Sequence, residues 1–245
     1  MAGARGDRIG LHRGDGPPLV IGHRGAAALA PENTLAALSA AVAAGADFVE
    51  FDVGAALVLG HSERETPEQP VSFDDALAFL GSHGVGAHVD LKSVGNEEEI
   101  VAAIRRHGLT GRVVISSVSA KSLRRLEAIA PELGRAITYP QDRHGISSVA
   151  WPGVLTRAGA GALRAVMPLR VPPLLRVARA NALSLHQALA SRATILAAHA
   201  LGAPVLVWTV NEPEQVERLA AIGADAIISD NPQMVCQVLA TLNTP

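Results

Sequence analysis

The chain has little with which to staple itself together or to attract a charged polymer. It holds one cysteine, Cys236, among 245 residues. That excludes an internal disulfide framework and a thiolate zinc cage and fits a reducing compartment, with Cys236 expected as a buried helix residue. The formal net charge is only -2, from 21 basic and 23 acidic side chains. No global field draws in nucleic acid or an anionic membrane surface, so any anion must be bound locally. No apolar stretch reaches transmembrane length without a charge or a breaker, and no integral membrane segment is expected. Residues 1–16 are rich in glycine and arginine and lack the apolar run of a signal peptide, which leaves a cytoplasmic protein as the expectation. The same residues have no apolar periodicity and are expected to form a flexible arm, with His12 in solvent.

The remainder, residues 17–245, is apolar enough to bury one sizeable core: 49% of the chain is hydrophobic, and a single α/β domain of ordinary size would use all of it. Strands are expected at 18–22, 48–53, 86–91, 112–116, 135–139, 182–185, 204–208 and 226–229. Helices lie between most of them, started by Asn33 or Thr34, Ser72, Ser119 and Ser191 and stopped by glycine or proline. Residues 140–181 carry several prolines and are expected to hold two helical pieces, 149–166 in part and 173–180, in an extended crossing.

Eight apolar strands alternating with helices, with no long alternating polar face, predict a single (β/α)8 TIM barrel of parallel strands. The alternative, an open doubly wound sheet, is disfavoured because only Gly22-His23-Arg24-Gly25 follows the first strand, not a glycine-rich phosphate fingerprint. In a barrel, His23 and Arg24 after strand one, Glu50 and Asp52 ending strand two, Asp90 and Lys92 ending strand three, His186, Trp208, Asn211 and Asp230 all fall at the C-terminal rim, where barrel enzymes work. Period-two alternation puts Glu50 and Asp52 on one side of their strand. Two such carboxylates either hold a hard cation, Mg²⁺ or Ca²⁺, or pair with Arg24 and Lys92. Lys92 is either a counter-charge or a phosphate ligand, and Trp208 either packing or a wall of the site. Glu32 and Asn33 are expected to cap the first helix and orient their neighbours, and His88 to be a hydrogen-bonded residue lower in the barrel.

With these residues assembled, the chain resembles the glycerophosphodiester phosphodiesterase family. The resemblance rests on His23-Arg24-Gly25, Pro31-Glu32-Asn33-Thr34, Glu50-Phe51-Asp52, Asp90-Leu91-Lys92, the segment Val207 to Asn211, and the closing run Gly223 to Pro232. It implies a metal-dependent phosphodiester hydrolase of a small-molecule substrate, releasing an alcohol and sn-glycerol 3-phosphate. It further implies His23 and His61 as the proton-transferring pair, Glu50, Asp52 and Asp90 as ligands of the divalent cation, and Arg24, Lys92 and Trp208 against the substrate.

Three departures stand out. Thr-x-Asp-Gly is absent after Glu50-Phe51-Asp52, and His61-Ser62 is the one candidate for the family's second histidine. Asp90 stands where the family usually has glutamate. The insertion that normally follows the second histidine shrinks to roughly 63–70, so an open pocket with broad head-group tolerance is expected. Two competing functions follow: a lyase that stops at a cyclic phosphate, and a degenerate barrel that binds phosphodiesters without turnover.

Overall fold

The computed structural model describes residues 10–14, 16–61, 70–140 and 154–242, with backbone alone for 154–158. Eight parallel strands close into one barrel in chain order: β1 Leu19–Gly22, β2 Phe48–Val53, β3 Gly86–Leu91, β4 Val113–Ser117, β5 Gly134–Tyr139, β6 Ala182–His186, β7 Val205–Trp208 and β8 Ala226–Ser229. Around them run α1 Leu35–Ala43, α2 Phe73–His83, α3 Glu97–Arg106, α4 Ala120–Ile129, α5 Val154–Ala178, α6 Arg192–His199, α7 Pro213–Ile222 and α8 Pro232–Leu242. This is the (β/α)8 barrel expected from the alternation of elements. The helix starts have the expected chemistry: the hydroxyls of Thr34, Ser72, Ser119 and Ser191 each accept a backbone N–H three residues on.

One sequence expectation fails in the Pro-rich crossing. α5 is a single helix of 25 residues although Pro168, Pro172 and Pro173 lie inside it. Each proline removes a helical hydrogen bond. What holds the helix is a stripe of buried side chains, Met167, Val171, Leu175 and Ala178, at helical spacing; tertiary burial outweighs the local breakers. The remainder of that crossing, 141–153, lies outside the described residues. Cys236 is half-buried on α8 rather than fully buried, and is a free thiol.

The barrel interior grades from apolar to acidic along the strands. Phe48 pairs in register with Gly86, Glu50 with His88, Asp52 with Asp90, and Asp90 in turn with Ser116. Since alternate residues face inward, the inner face of β2 reads Phe48, Glu50, Asp52 from bottom to top. Gly86 leaves the space that the Phe48 ring fills, because a Cβ there would meet the ring at 2.4 Å. Phe48, Ile21, Val114, Ala136, Ala182, Leu206, Ala226 and Ile228 form the lower core, and Leu11 joins them.

Leu11 corrects the expected extent of the free arm. It is 2% exposed at the N-terminal end of the barrel, and His12 beside it is half-buried, 3.4 Å from Asp225, rather than fully in solvent. A single buried leucine carries no periodicity that a sequence could display. Residues 1–9 and 15 lie outside the described residues.

Candidate active site

The turn after β1 is built to present His23 and Arg24. Gly25 has a φ of +89°, and a Cβ on it would lie 2.5 Å from the Ala37 backbone, so the tight pass against α1 requires glycine. Arg24 itself is left-handed, with φ +49°. Its conformation is held from both ends: its N–H donates to Glu50 Oε2 at 2.7 Å, and its carbonyl accepts the Asn33 N–H at 2.9 Å.

His23 is positioned by a residue that sequence reasoning left without a role. Its Nδ1 lies 2.6 Å from Asp230 Oδ1, while Nε2 faces Glu50 Oε2 at 3.9 Å. Asp230, just beyond β8, accepts a hydrogen bond from Asn211 Nδ2 at 2.5 Å and donates its own N–H to Asn211 Oδ1 at 3.0 Å. Burial pulls the His23 pKa down, but the Asp230 hydrogen bond and the Glu50 charge outweigh it, so the net shift is upward. Asp230 is held below its usual range, as the bond to His23 overcomes its burial.

Glu50, Asp52 and Asp90 come together. One carboxylate oxygen from each lies within 4.8 Å of the others. Burial, and then the Asp52 charge, push the Glu50 carboxyl up to about 7. Asp52 is different. It too is buried, yet Lys92 and Arg24 hold it below the usual carboxylate range. Lys92 Nζ bridges Asp52 Oδ1 at 2.8 Å and Asp90 Oδ2 at 2.5 Å, and these carboxylates keep its charge against the pull of burial. Arg24 Nε is 3.1 Å from Asp52 Oδ2, while its NH1 donates to Glu32 at 2.8 and 2.9 Å. Both sequence alternatives for the carboxylates therefore coexist: they cluster, and Asp52 is also ion-paired. Among the described residues no lysine or arginine side chain is ion-paired with Glu50, whose contacts are the Arg24 N–H and the nearby His23 ring. An all-oxygen set with one undercompensated buried carboxylate fits a hard divalent cation.

Asn33 orients Asp52 through a reciprocal pair of bonds. Its Nδ2 donates to Asp52 Oδ2 at 3.1 Å, and its Oδ1 accepts the Asp52 N–H at 3.1 Å. Asn33 is 1% exposed and left-handed, with φ +58°, a conformation asparagine tolerates better than alanine. Asn33→Ala is expected to destabilise the fold by about 2–4 kcal/mol, from orphaned buried polar groups and backbone strain together. Urea unfolding measures this. Asn33→Gly should recover the strain but not the hydrogen bonds, and a loss below about 0.5 kcal/mol in both variants would contradict the assignment.

Asp90 is held from the other side: Ser116 Oγ donates to its Oδ1 at 2.6 Å, and His88 Nε2 lies 2.9 Å from that hydroxyl. His88 is the buried lower residue expected, its pKa lowered to about 4 by burial. Trp208 ends β7 edge-on to the His186 ring, with ring centroids 5.1 Å apart, and its indole N–H is buried without a hydrogen-bond partner among the described residues.

His61 lies on the stretch after β2. It is exposed and follows a short bridge in which Leu59 pairs with Val53 and the Gly60 N–H donates to Asp52 O at 3.1 Å. The chain thereby returns to the rim beside Asp52, and residues 62–69 lie outside the described residues.

A model of the Glycerophosphoryl diester phosphodiesterase family matches residues 23–56 and 82–234, leaving His61 between the two matched stretches. Among curated proteins, a glycerophosphodiester phosphodiesterase of Caldanaerobacter subterraneus subsp. tengcongensis is 26% identical over 90% of this chain and 97% of its own length. The putative glycerophosphodiester phosphodiesterase YhdW of Bacillus subtilis is also 26% identical, over 88% of this chain and 96% of its own. The fold is shared with a putative glycerophosphoryl diester phosphodiesterase from Silicibacter pomeroyi, at a TM-score of 0.75 and 21% identity over 96% of this chain and 98% of that one. It is shared too with an Oleispira antarctica phosphodiesterase solved with the product sn-glycerol-3-phosphate, at a TM-score of 0.67 and 24% identity over 91% and 97% of the two chains. Because the family model spans most of the barrel, from His23 on β1's exit to the first turn of α8, this chain belongs to the glycerophosphoryl diester phosphodiesterase family.

Proposed function

We propose that this protein is a divalent-cation-dependent phosphodiesterase that cleaves glycerophosphodiesters in the cytoplasm to an alcohol and sn-glycerol 3-phosphate. The observation that carries the reading is the juxtaposition of a carboxylate-held imidazole, His23 on Asp230 at 2.6 Å, with the Glu50, Asp52 and Asp90 cluster at one barrel rim. Glu50, Asp52 and Asp90 would hold Mg²⁺ or Ca²⁺, which supplies charge neutralisation of a non-bridging phosphate oxygen. Because Asp230 accepts the Nδ1 proton, Nε2 of His23 is the nitrogen that takes or gives a proton at the reacting oxygen. Arg24 and Lys92 supply the fixed positive charge for the phosphodiester, and Trp208 flanks its organic part. His61 is proposed as the second proton carrier on the family resemblance and its return to the rim next to Asp52.

The product of glycerophosphocholine cleavage, followed by phosphorus NMR, tests this reading. sn-Glycerol 3-phosphate is the expected signal. A persistent cyclic phosphate would instead identify a lyase. Absence of turnover on a panel of diesters with Mg²⁺, Ca²⁺ or Mn²⁺, while glycerol phosphate still binds, would identify a degenerate binding barrel.

Broad head-group tolerance is part of the proposal, supported by the short stretch between His61 and Pro70 and by the gap in the family match over 57–81. Specificity is a difference in transition-state binding, and few residues remain there to contact the alcohol. Values of kcat/KM for choline, ethanolamine, glycerol and inositol diesters are expected to fall within about tenfold, or ~1.4 kcal/mol. A hundredfold preference for one head group would contradict it.

A further inference from the structure

We propose that His12, His199 and Asp225 form a Zn²⁺ site at the end of the barrel opposite the active site, where the ion fastens the N-terminal segment to the barrel floor. The three side chains come from separate places: the segment before β1, the last residue of α6, and the turn into β8. One donor atom from each lies within 4.8 Å of the others. Asp225 precedes β8 and Asp230 follows it, so the two clusters are about 16 Å apart along a strand at ~3.3 Å per residue. They cannot share an ion.

The hydrogen bonding around the cluster is that of oriented ligands. His12 Nε2 lies 3.2 Å from the Gly202 carbonyl. A carbonyl only accepts, so Nε2 carries the proton of that contact, and Nδ1 is the nitrogen turned to Asp225. Fixing a ligand's tautomer through a backbone carbonyl is a recurrent arrangement at metal-bound histidines. Asp225 is 1% exposed, and its Oδ2 accepts the Val205 N–H at 2.8 Å and faces His199 Nε2 at 2.6 Å.

His12 Nδ1 stands 3.4 Å from Asp225 Oδ1. That is long for a charge-assisted hydrogen bond and equals the roughly 3.4 Å between two donors about 2.0–2.2 Å from one tetrahedral Zn²⁺; His199 Nε2 and Asp225 Oδ2, hydrogen-bonded at 2.6 Å, separate to share the ion, and the Arg13 N–H stands 3.4 Å from Asp225 Oδ1. Two imidazoles and one carboxylate suit Zn²⁺ rather than Mg²⁺ or Ca²⁺, and leave a fourth position for water. On binding, the ion replaces the proton at His199 Nε2, and the ring stays neutral with its proton on Nδ1.

The test is Zn²⁺ alone added to the full chain stripped of metal with a chelator. In the unaltered chain, ¹⁵N spectra of the imidazoles should show the His12 Nδ1 and His199 Nε2 signals moving together as Zn²⁺ is added, saturating at one equivalent for this site. By calorimetry in a Glu50→Gln/Asp52→Asn background, which silences the rim carboxylates, Zn²⁺ binding should persist. Adding His12→Ala or His199→Ala should weaken it at least tenfold. Imidazole signals that stay in place overturn the proposal without recourse to any variant. So does Zn²⁺ affinity in that background that is unaffected by the loss of His12.

Discussion

His23→Ala is expected to lower kcat on glycerophosphocholine by about 10²–10⁴, the range for loss of one positioned proton-transfer group, with the fold intact. The reason is geometric. His23 leaves β1 at a turn set by Gly25 and Arg24, its Nδ1 is 2.6 Å from Asp230, and its Nε2 faces the acidic cluster at 3.9 Å from Glu50. Its side chain is partly exposed at 21%, so alanine opens no cavity in the core. Asp230→Asn should reproduce part of the loss, about 10–100-fold, because an amide can present its N–H to Nδ1 and turn the proton to the wrong nitrogen. Steady-state kinetics on both variants decide the matter. Full activity in His23→Ala would remove it from the chemistry. If Asp230→Asn matched the wild type, Asp230 would not be positioning His23.

The second large effect concerns the carboxylates. Glu50→Gln and Asp52→Asn are each expected to abolish divalent-cation binding at the rim and to lower kcat/KM by about 10³ or more, equivalent to ~4 kcal/mol. The two substitutions should differ in stability. Glu50 is buried with no lysine or arginine side chain ion-paired to it among the described residues, and its carboxyl is pushed up to about 7, chiefly by burial. Removing its charge relieves a repulsion with Asp52, so Glu50→Gln should leave the metal-free fold as stable or more so. Asp52→Asn strips Lys92 and Arg24 of their shared partner, found at 2.8 and 3.1 Å. Breaking a buried pair from one side costs about 3–5 kcal/mol at most, and Asp90 and Glu32 stay behind to offset part of it. Calorimetry with Mg²⁺ and Ca²⁺, together with urea unfolding of the metal-free proteins, reads both quantities. Unchanged cation affinity in both variants would refute the site.

Much of the fold was legible because the barrel strands are short apolar runs bounded by glycine, proline and charge. β2 and β3 have the expected limits to the residue, the caps at Ser72, Ser119 and Ser191 follow from hydroxyl chemistry, and the first cap, expected at Asn33 or Thr34, falls on Thr34. The rim residues were legible for a related reason: a parallel barrel sends the C-terminal end of every strand to one face. What stayed hidden depended on closure or on isolated contacts. Asp230 meets His23 across 207 residues of chain, and only the pairing of β8 with β1 brings them together. Asn33 was expected near the site as an orienting residue, but its exchange of two hydrogen bonds with Asp52 depends on a left-handed backbone that no spacing encodes. α5 persists through three prolines because of what its inner stripe covers, and Leu11 is a lone apolar residue in a polar segment.

The central claim is that the Glu50, Asp52 and Asp90 cluster works with His23 through a bound cation. The most direct measurement is the release of sn-glycerol 3-phosphate from glycerophosphocholine by the full chain, before and after chelation and after adding back Mg²⁺ or Ca²⁺. Activity should vanish on chelation and return with the cation in the wild type, and should not return in Asp52→Asn at any Mg²⁺ or Ca²⁺ concentration that restores the wild type. Undiminished hydrolysis after complete removal of divalent cations, or equal restoration in Asp52→Asn, would contradict it.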